Sequence, residues 1–359
     1  MQNYIQSIIT NTALWQYYEH GPAQPDINDA DSCFNFIGDY FRHAQKYSQE
    51  VEDGLDYLLN HDPQRLRHIV STFFLGLALY HDDNLSFHQS VSEQLRKFQV
   101  FRNIEREELD RQLAYIWFMI TLFHDLGYLC EKDYMPFDEQ LYGHEIPFSN
   151  SVPRRYRDII TPYLNYRHNK DHGICAGLMF DKVLCETRAN RYYLGGSPLN
   201  WDPGLDEVYH HVAWMIMSHN IWWKRDTYPM EELRDYRVAG LSNLILHSKK
   251  LKSDVYSWYP IRYGFHPIFF LFCLVDTIEP IKRLNTLEGI NLRTRNNRIS
   301  ISIDLKPDAY IGYLEKDVVG MKEWLLHVRY DQVNQHASMH IPPVQYWQHR
   351  MIPYRRLRN

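Results

Sequence analysis

Between about residue 31 and residue 285, apolar side chains recur every three or four positions, the spacing that gathers them on one side of a helix. The pattern is clearest in CFNFIGDYFRHA, LRHIVSTFFLGLALY, LAYIWFMITLFHDL, GICAGLMFDKVL, EVYHHVAWMIMSH, LSNLILHSKKLK and PIFFLFCLVDTIEPIKRL, and each predicts a helix. Polar stretches with Pro and Gly at 131–170 and 189–205 predict long loops, which in a compact domain often serve as lids or binding segments. Past residue 286 the period changes. NRISISIDL (297–305) alternates as a strand does, AYIGYLEKDVVGMKEWLL reads as a helix, and ASMHI (337–341) reads as another strand. The expected architecture is mainly α with a small C-terminal α+β appendage. Its parts are an N-terminal helical extension over 1–59, a helical body over 60–285 and the appendage over 286–359.

Composition narrows the function classes. A net charge of −5 provides no global basic field of the kind that draws proteins to duplex nucleic acid, although a local basic channel remains compatible with it. The longest apolar runs, such as IFFLFCLV (268–275), are far too short to span a bilayer, so no membrane partner is expected. The chain opens on MQNYIQSIITNTALW, which has polar residues throughout and does not read as a secretory signal. The five cysteines (Cys33, Cys130, Cys175, Cys185 and Cys273) show no zinc-ribbon spacing and read as reduced thiols of a cytoplasmic protein.

The chemistry begins in LAYIWFMITLFHDLGYL (113–129), which is apolar nearly all round and is expected to be a buried helix. His124 and Asp125 stand at its end, with Gly127 as the expected helix stop. A buried carboxylate beside an imidazole is costly unless both are paired or bind a metal. Alone, the pair also fits a simple hydrogen bond at a helix end. The same anomaly recurs, however. His68 lies in RLRHIVSTFFLGLALY, His172 precedes GICAGLMF, His219 ends VAWMIMSH, and Asp276 follows PIFFLFCLV. Neutral imidazole is the commonest metal ligand, and one carboxylate can bridge two divalent ions.

In order, His68, His124-Asp125, His172, His219 and Asp276 resemble the HD-domain superfamily, a helical bundle with the signature H…HD…H…H…D. The resemblance covers roughly residues 60–285. RLRHIVST looks like the first-His helix, LFHDLGY like the HD turn, SHN (218–220) like the later His motif and LVDTIE (274–279) like the closing Asp helix. It implies that His68, His124, Asp125 and Asp276 hold one ion, and that Asp125 bridges to a second held by His172 and His219. The ions would be divalent transition metals (Mn, Fe, Ni, Co or Zn). Their shared hydroxide would attack a phosphate ester of a nucleotide, cyclic nucleotide or single-stranded nucleic-acid end.

Two positions depart from common family patterns. Tyr128 stands where many members carry a phosphate-contacting Lys, and Asn220 where some carry a second His. The phosphate role would then fall to Lys170, Arg167, Lys224 or Arg225. Other histidines compete for ligand positions: His61, His81 and His88 with His68, His168 with His172, and His210 and His211 with His219. Trp222, Trp223 and Tyr228 fit a base-stacking wall or packing under a loop. Beside the hydrolase stand two alternatives the resemblance carries: a mixed-valent di-iron oxygenase with the same ligands, and a scaffold without turnover that acts through partners. An oligomer is compatible with all three.

Overall fold

The computed structural model describes residues 2–16, 21–44, 46–129, 171–193, 203–219, 263, 266–281, 287–305, 328–331 and 336–340. The described residues form nine α-helices: α1 (Gln2–Thr10), α2 (Ala30–His43), α3 (Gln49–His61), α4 (Pro63–Tyr80), α5 (Phe87–Leu95), α6 (Arg106–Phe123), α7 (His172–Tyr193), α8 (Asp206–Ser218) and α9 (Pro267–Ile278). A small antiparallel sheet follows, of strands β1 (Leu287–Arg295), β2 (Arg298–Leu305), β3 (Val328–Asp331) and β4 (His336–His340), in the order β1-β2-β4-β3. The protein is mainly helical with a small sheet, as the periodicity implied.

Local chemistry sets several helix ends. Asp29 caps α2 by accepting from the Asp31 amide at 3.2 Å, and Ser48 opens α3 with acidic Glu50 and Glu52 in the first turn. Proline occupies the first turn of both α4 and α9, where its missing N–H costs nothing. Helices α4 and α6 are buried nearly all round and cross where Gly76 meets Trp117. A Cβ at Gly76 would lie 2.0 Å from the indole ring, so only glycine allows this approach. The indole N–H donates to the Phe73 carbonyl at 2.9 Å and locks the crossing. One continuous apolar core runs from Ile5 on α1 to Ile301 on β2.

The sheet joins that core through one face. Ile299 and Ile301 are buried while Arg298 and Ser302 are exposed, the alternation of a strand with one solvated side. Asn296 and Asn297, with φ of 49° and 58°, form the two-residue turn between β1 and β2, and asparagine tolerates this left-handed conformation. The Asn297 amide donates to the Asn84 carbonyl at 2.7 Å and ties the hairpin to the loop between α4 and α5.

Several expectations need correction. Residues 189–193, read as loop, continue α7, and residues 203–205 form a 3-10 turn. The last apolar run ends as a helix at Ile278, because Pro280 bars the preceding residue from helical backbone and Glu279 is extended (φ −61°, ψ 126°). Helices α1, α3 and α5 fall in regions expected to be helical, although no individual segment predicts them, and no segment predicts strands β1 and β3. The segments LSNLILHSKKLK and AYIGYLEKDVVGMKEWLL lie outside the described residues, as does the whole 131–170 stretch. Cys33, Cys175 and Cys273 are buried thiols, and no helix among the described residues is long and apolar enough to cross a membrane.

One buried cation in the body gives a test of its electrostatics. Lys46 is almost wholly buried, with its ammonium 5.5 Å from the Tyr115 ring centre and 5.3 Å from that of Tyr209. Burial pushes its pKa down from the usual 10.5 to about 8. Between those values the unfolded chain holds the proton and the folded chain releases it, so stability should rise with pH from about 8 to 10.5. A Lys46→Met variant should lose that slope and gain about 1–3 kcal/mol at pH 7. Denaturant titrations of both proteins across this range check the sign.

Candidate metal centre

Helix α6 ends with His124 as its C-cap, and the chain turns through Asp125, Leu126 and Gly127. Gly127 does not stop the helix in the left-handed conformation expected of it. Its φ lies outside that region, and the demand at this position is steric. A Cβ there would sit 2.1 Å from the His172 carbonyl and 2.4 Å from the Ala176 amide, so glycine lets α7 press directly on the turn. Asp171 opens α7 by accepting from the Ile174 amide at 3.1 Å, which sets His172 as its first residue. His219 caps the C-terminus of α8, His68 lies on α4, and Asp276 lies in the last turn of α9.

Five elements thus bring all six sequence-predicted ligands into one buried cluster. His68 Nε2 lies 3.0 Å from Asp276 Oδ1 and 3.8 Å from Asp125 Oδ2. His124 Nε2 lies 3.4 Å from Asp125 Oδ1 and 3.6 Å from Asp276 Oδ1, and His172 Nε2 lies 3.5 Å from Asp125 Oδ1. The His219 ring is centred 5.0 Å from that of His124 and 5.2 Å from that of His172. Two groups have their ligand atoms within 4.8 Å of one another: His68, His124 and Asp276, and His124, Asp125 and His219.

Burial and the neighbouring charges pull the members of the cluster in different directions. Burial would raise the Asp125 carboxyl, but His124, Arg65, His68 and His172 hold it well below the carboxylate range. Burial would lower His124, but Asp125 and Asp276 outweigh that and push it up. Burial, compounded by His124 and His172, pushes the His219 imidazole down to about 3, so it is neutral and available as a ligand.

The donor set could hold a metal ion. His124 donates through Nδ1 to the Thr121 carbonyl at 2.6 Å, which leaves Nε2 as an acceptor facing two carboxylates. That Nε2 is fully buried without a hydrogen-bond partner, an arrangement that is costly unless a cation completes it. Two ligands of one ion at the usual bond lengths stand roughly 3.0–3.4 Å apart, close to the nitrogen–oxygen distances here.

Four of the competing histidines are engaged elsewhere, and neither candidate ligand group includes His210. His61 is exposed and stacks on Tyr57, while His88 pairs with Asp110 at 3.1 Å. His81 is outside both ligand groups, its ring against Tyr80. His211 stacks on Trp214 and meets the edge of Phe98. His168, Arg167, Lys170, Asn220, Trp222, Trp223, Lys224, Arg225 and Tyr228 lie outside the described residues, so the phosphate-binding cations and stacking wall expected from them have no structural placement.

Two residues of the site were missed from sequence. Arg65, one helical turn before His68, reaches Asp125 Oδ2 at 3.4 Å and lies over the Tyr128 ring at 4.4 Å. Tyr128 in turn stacks on His172, with centroids 4.0 Å apart. Glu279, one turn after Asp276, is fully buried and accepts from His68 Nδ1 at 2.7 Å. Helical spacing from the anticipated ligands was the available signal in both cases. Comparison with protein-family models, curated proteins and solved structures returned no match for this chain.

Proposed function

We propose that the chain is a metal-dependent hydrolase of phosphate esters with a helical centre of the HD-domain type. The observation that carries this reading is His124 Nε2, buried, without a hydrogen-bond partner and grouped with His68, Asp125, His219 and Asp276, while His172 reaches Asp125 from the far side. His68, His124, Asp125 and Asp276 would hold one ion, with Asp125 shared towards a second at His172 and His219. Bound divalent ions supply Lewis acidity, lowering the pKa of water and neutralising developing charge on phosphoryl oxygens.

The chain's own residues supply position and charge. Gly127 and Asp171 fix where α7 delivers His172. Arg65 has a partly exposed side chain at the edge of the cluster, and it stands where a phosphate oxygen could accept from its guanidinium. It thereby takes the role that Tyr128 cannot perform. Tyr128 instead supports that guanidinium from below as a ring platform. The acidic net charge favours a small nucleotide or a single-stranded end over long duplex.

Metal analysis of protein purified without chelator, paired with assays on bis-p-nitrophenyl phosphate and a nucleotide panel, tests the proposal. Two equivalents of a divalent transition metal and hydrolysis that chelator abolishes and metal restores are expected. Absence of metal would sink the proposal. A mixed-valent iron signal with oxygen uptake and no hydrolysis would replace it with the oxygenase.

A further inference from the structure

To hold an ion through Nε2 an imidazole must carry its proton on Nδ1, and the acceptors that Nδ1 meets differ between these histidines. His124 and His219 have Nδ1 at 2.6 Å from the backbone carbonyls of Thr121 and Ile216, within their own helix ends. His68 sits mid-helix on α4, where carbonyls are committed to the helix itself, and its Nδ1 meets a side chain from a distant part of the chain. That side chain is Glu279. Pro280 forces Glu279 out of α9, and its carboxylate folds back to accept from the Ile281 amide with both oxygens, at 3.0 and 2.9 Å. The same Oε2 also accepts from His68 Nδ1 at 2.7 Å.

With Nδ1–H given to Glu279, His68 Nε2 presents a lone pair to Asp276 Oδ1 at 3.0 Å. Two lone pairs at that distance repel unless a cation or a proton lies between them. Asp276 and Glu279 are one turn apart, so VDTIEP delivers a ligand and the anchor of a different ligand from the same helix end.

We propose that Glu279 is a positioning residue of the metal centre, fixing the tautomer and orientation of His68 and so setting the affinity of the first ion. This rests on the metal-centre reading above and deepens it. Carboxylates behind metal-bound histidines raise ligand basicity and hold the ring in place.

The test measures Zn²⁺ or Mn²⁺ affinity of the full chain by chelator competition for wild type, Glu279→Ala, Glu279→Gln, His68→Ala and the double variant Glu279→Ala/His68→Ala, with circular dichroism checking the fold. Glu279→Ala should weaken the tighter ion roughly 10–100-fold. Glu279→Gln should recover much of that loss, because its amide oxygen still accepts from His68 Nδ1. In the His68→Ala background, Glu279→Ala should have almost no further effect, since its action runs through the imidazole. Nitrogen NMR of the Zn²⁺-bound wild type should place the His68 proton on Nδ1, a readout independent of any variant's folding. A folded Glu279→Ala with wild-type affinity, an equal loss in the His68→Ala background, or a proton on Nε2 would each overturn the proposal while leaving the metal centre intact. A wild type that binds no ion would overturn both.

Discussion

Replacing Asp125 with alanine is expected to strip the protein of metal and reduce phosphate-ester hydrolysis below detection. The carboxylate is essentially inaccessible to solvent and touches four basic groups: Oδ1 faces His124 and His172, and Oδ2 faces His68 and Arg65. Losing a residue that contacts the ion should exceed the roughly 10–100-fold cost typical of residues one step removed. The unliganded protein should also lose about 1–3 kcal/mol, because a buried cationic neighbourhood is left without its anion; Arg65 retains Asp62 at 3.2 Å and is partly solvated, which limits the loss. Asp125 is held below the ordinary carboxylate range, so its contribution is fully present above that range and lost only as pH falls through the folded value. The stability deficit should therefore be flat between about pH 5 and 8. Asp125→Asn keeps the shape and removes the charge, and should show the same loss of metal with less disturbance of packing. Metal content measured alongside activity is decisive: an alanine variant that retains both refutes the central role of this pair.

The parts of the site legible in the sequence were those where chemistry disagrees with its surroundings. His68, His124, Asp125, His172, His219 and Asp276 each interrupt or end an apolar helix, and polar groups in such places need partners. Helical periodicity found α4, α6, α8 and most of α2, α7 and α9 for the same reason, since their apolar faces meet a common core. What stayed hidden depends on contacts between distant segments. Arg65 reads as an ordinary solvated charge until α4 is set against the turn after α6. Glu279 reads as a polar residue before a proline until its carboxylate is seen returning to His68. Helices α1, α3 and α5 are amphipathic but short and largely polar, so no long apolar run marks them, and their burial is decided by the neighbours they cover. Gly127 was read by its commonest use, a helix stop, whereas its place is determined by a second helix.

Adding a single methyl group at that glycine is expected to damage the centre more than its size suggests. In Gly127→Ala the new Cβ would start 2.1 Å from the His172 carbonyl oxygen and 2.4 Å from the Ala176 amide nitrogen. Both are backbone atoms in the first turns of α7, so no side chain can rotate away and the helix itself must retreat. The space around Gly173 hinders that retreat, because a Cβ there would already lie 3.1 Å from the His219 ring and 3.2 Å from the Ile216 carbonyl, so α7 is closely seated on α8. Overpacking of this kind typically costs about 1–3 kcal/mol, and contact with backbone places Gly127→Ala at the upper end. The chemical consequence is selective. Retreat of α7 draws His172 away from Asp125 Oδ1, while His68, His124 and Asp276 stand on α4, α6 and α9 and keep their places. The variant should therefore retain the first ion, lose the second, and fall at least tenfold in hydrolysis, since a misplacement near one ångström at a catalytic centre can cost about a hundredfold. Gly21→Ala is the matched control: the nearest atoms to its Cβ belong to the flexible Gln16 side chain, and both ions should remain. Metal stoichiometry and thermal unfolding of the two variants measure the difference directly, and two tightly bound ions in Gly127→Ala at unchanged stability would show that α7 is not held against the turn in this way.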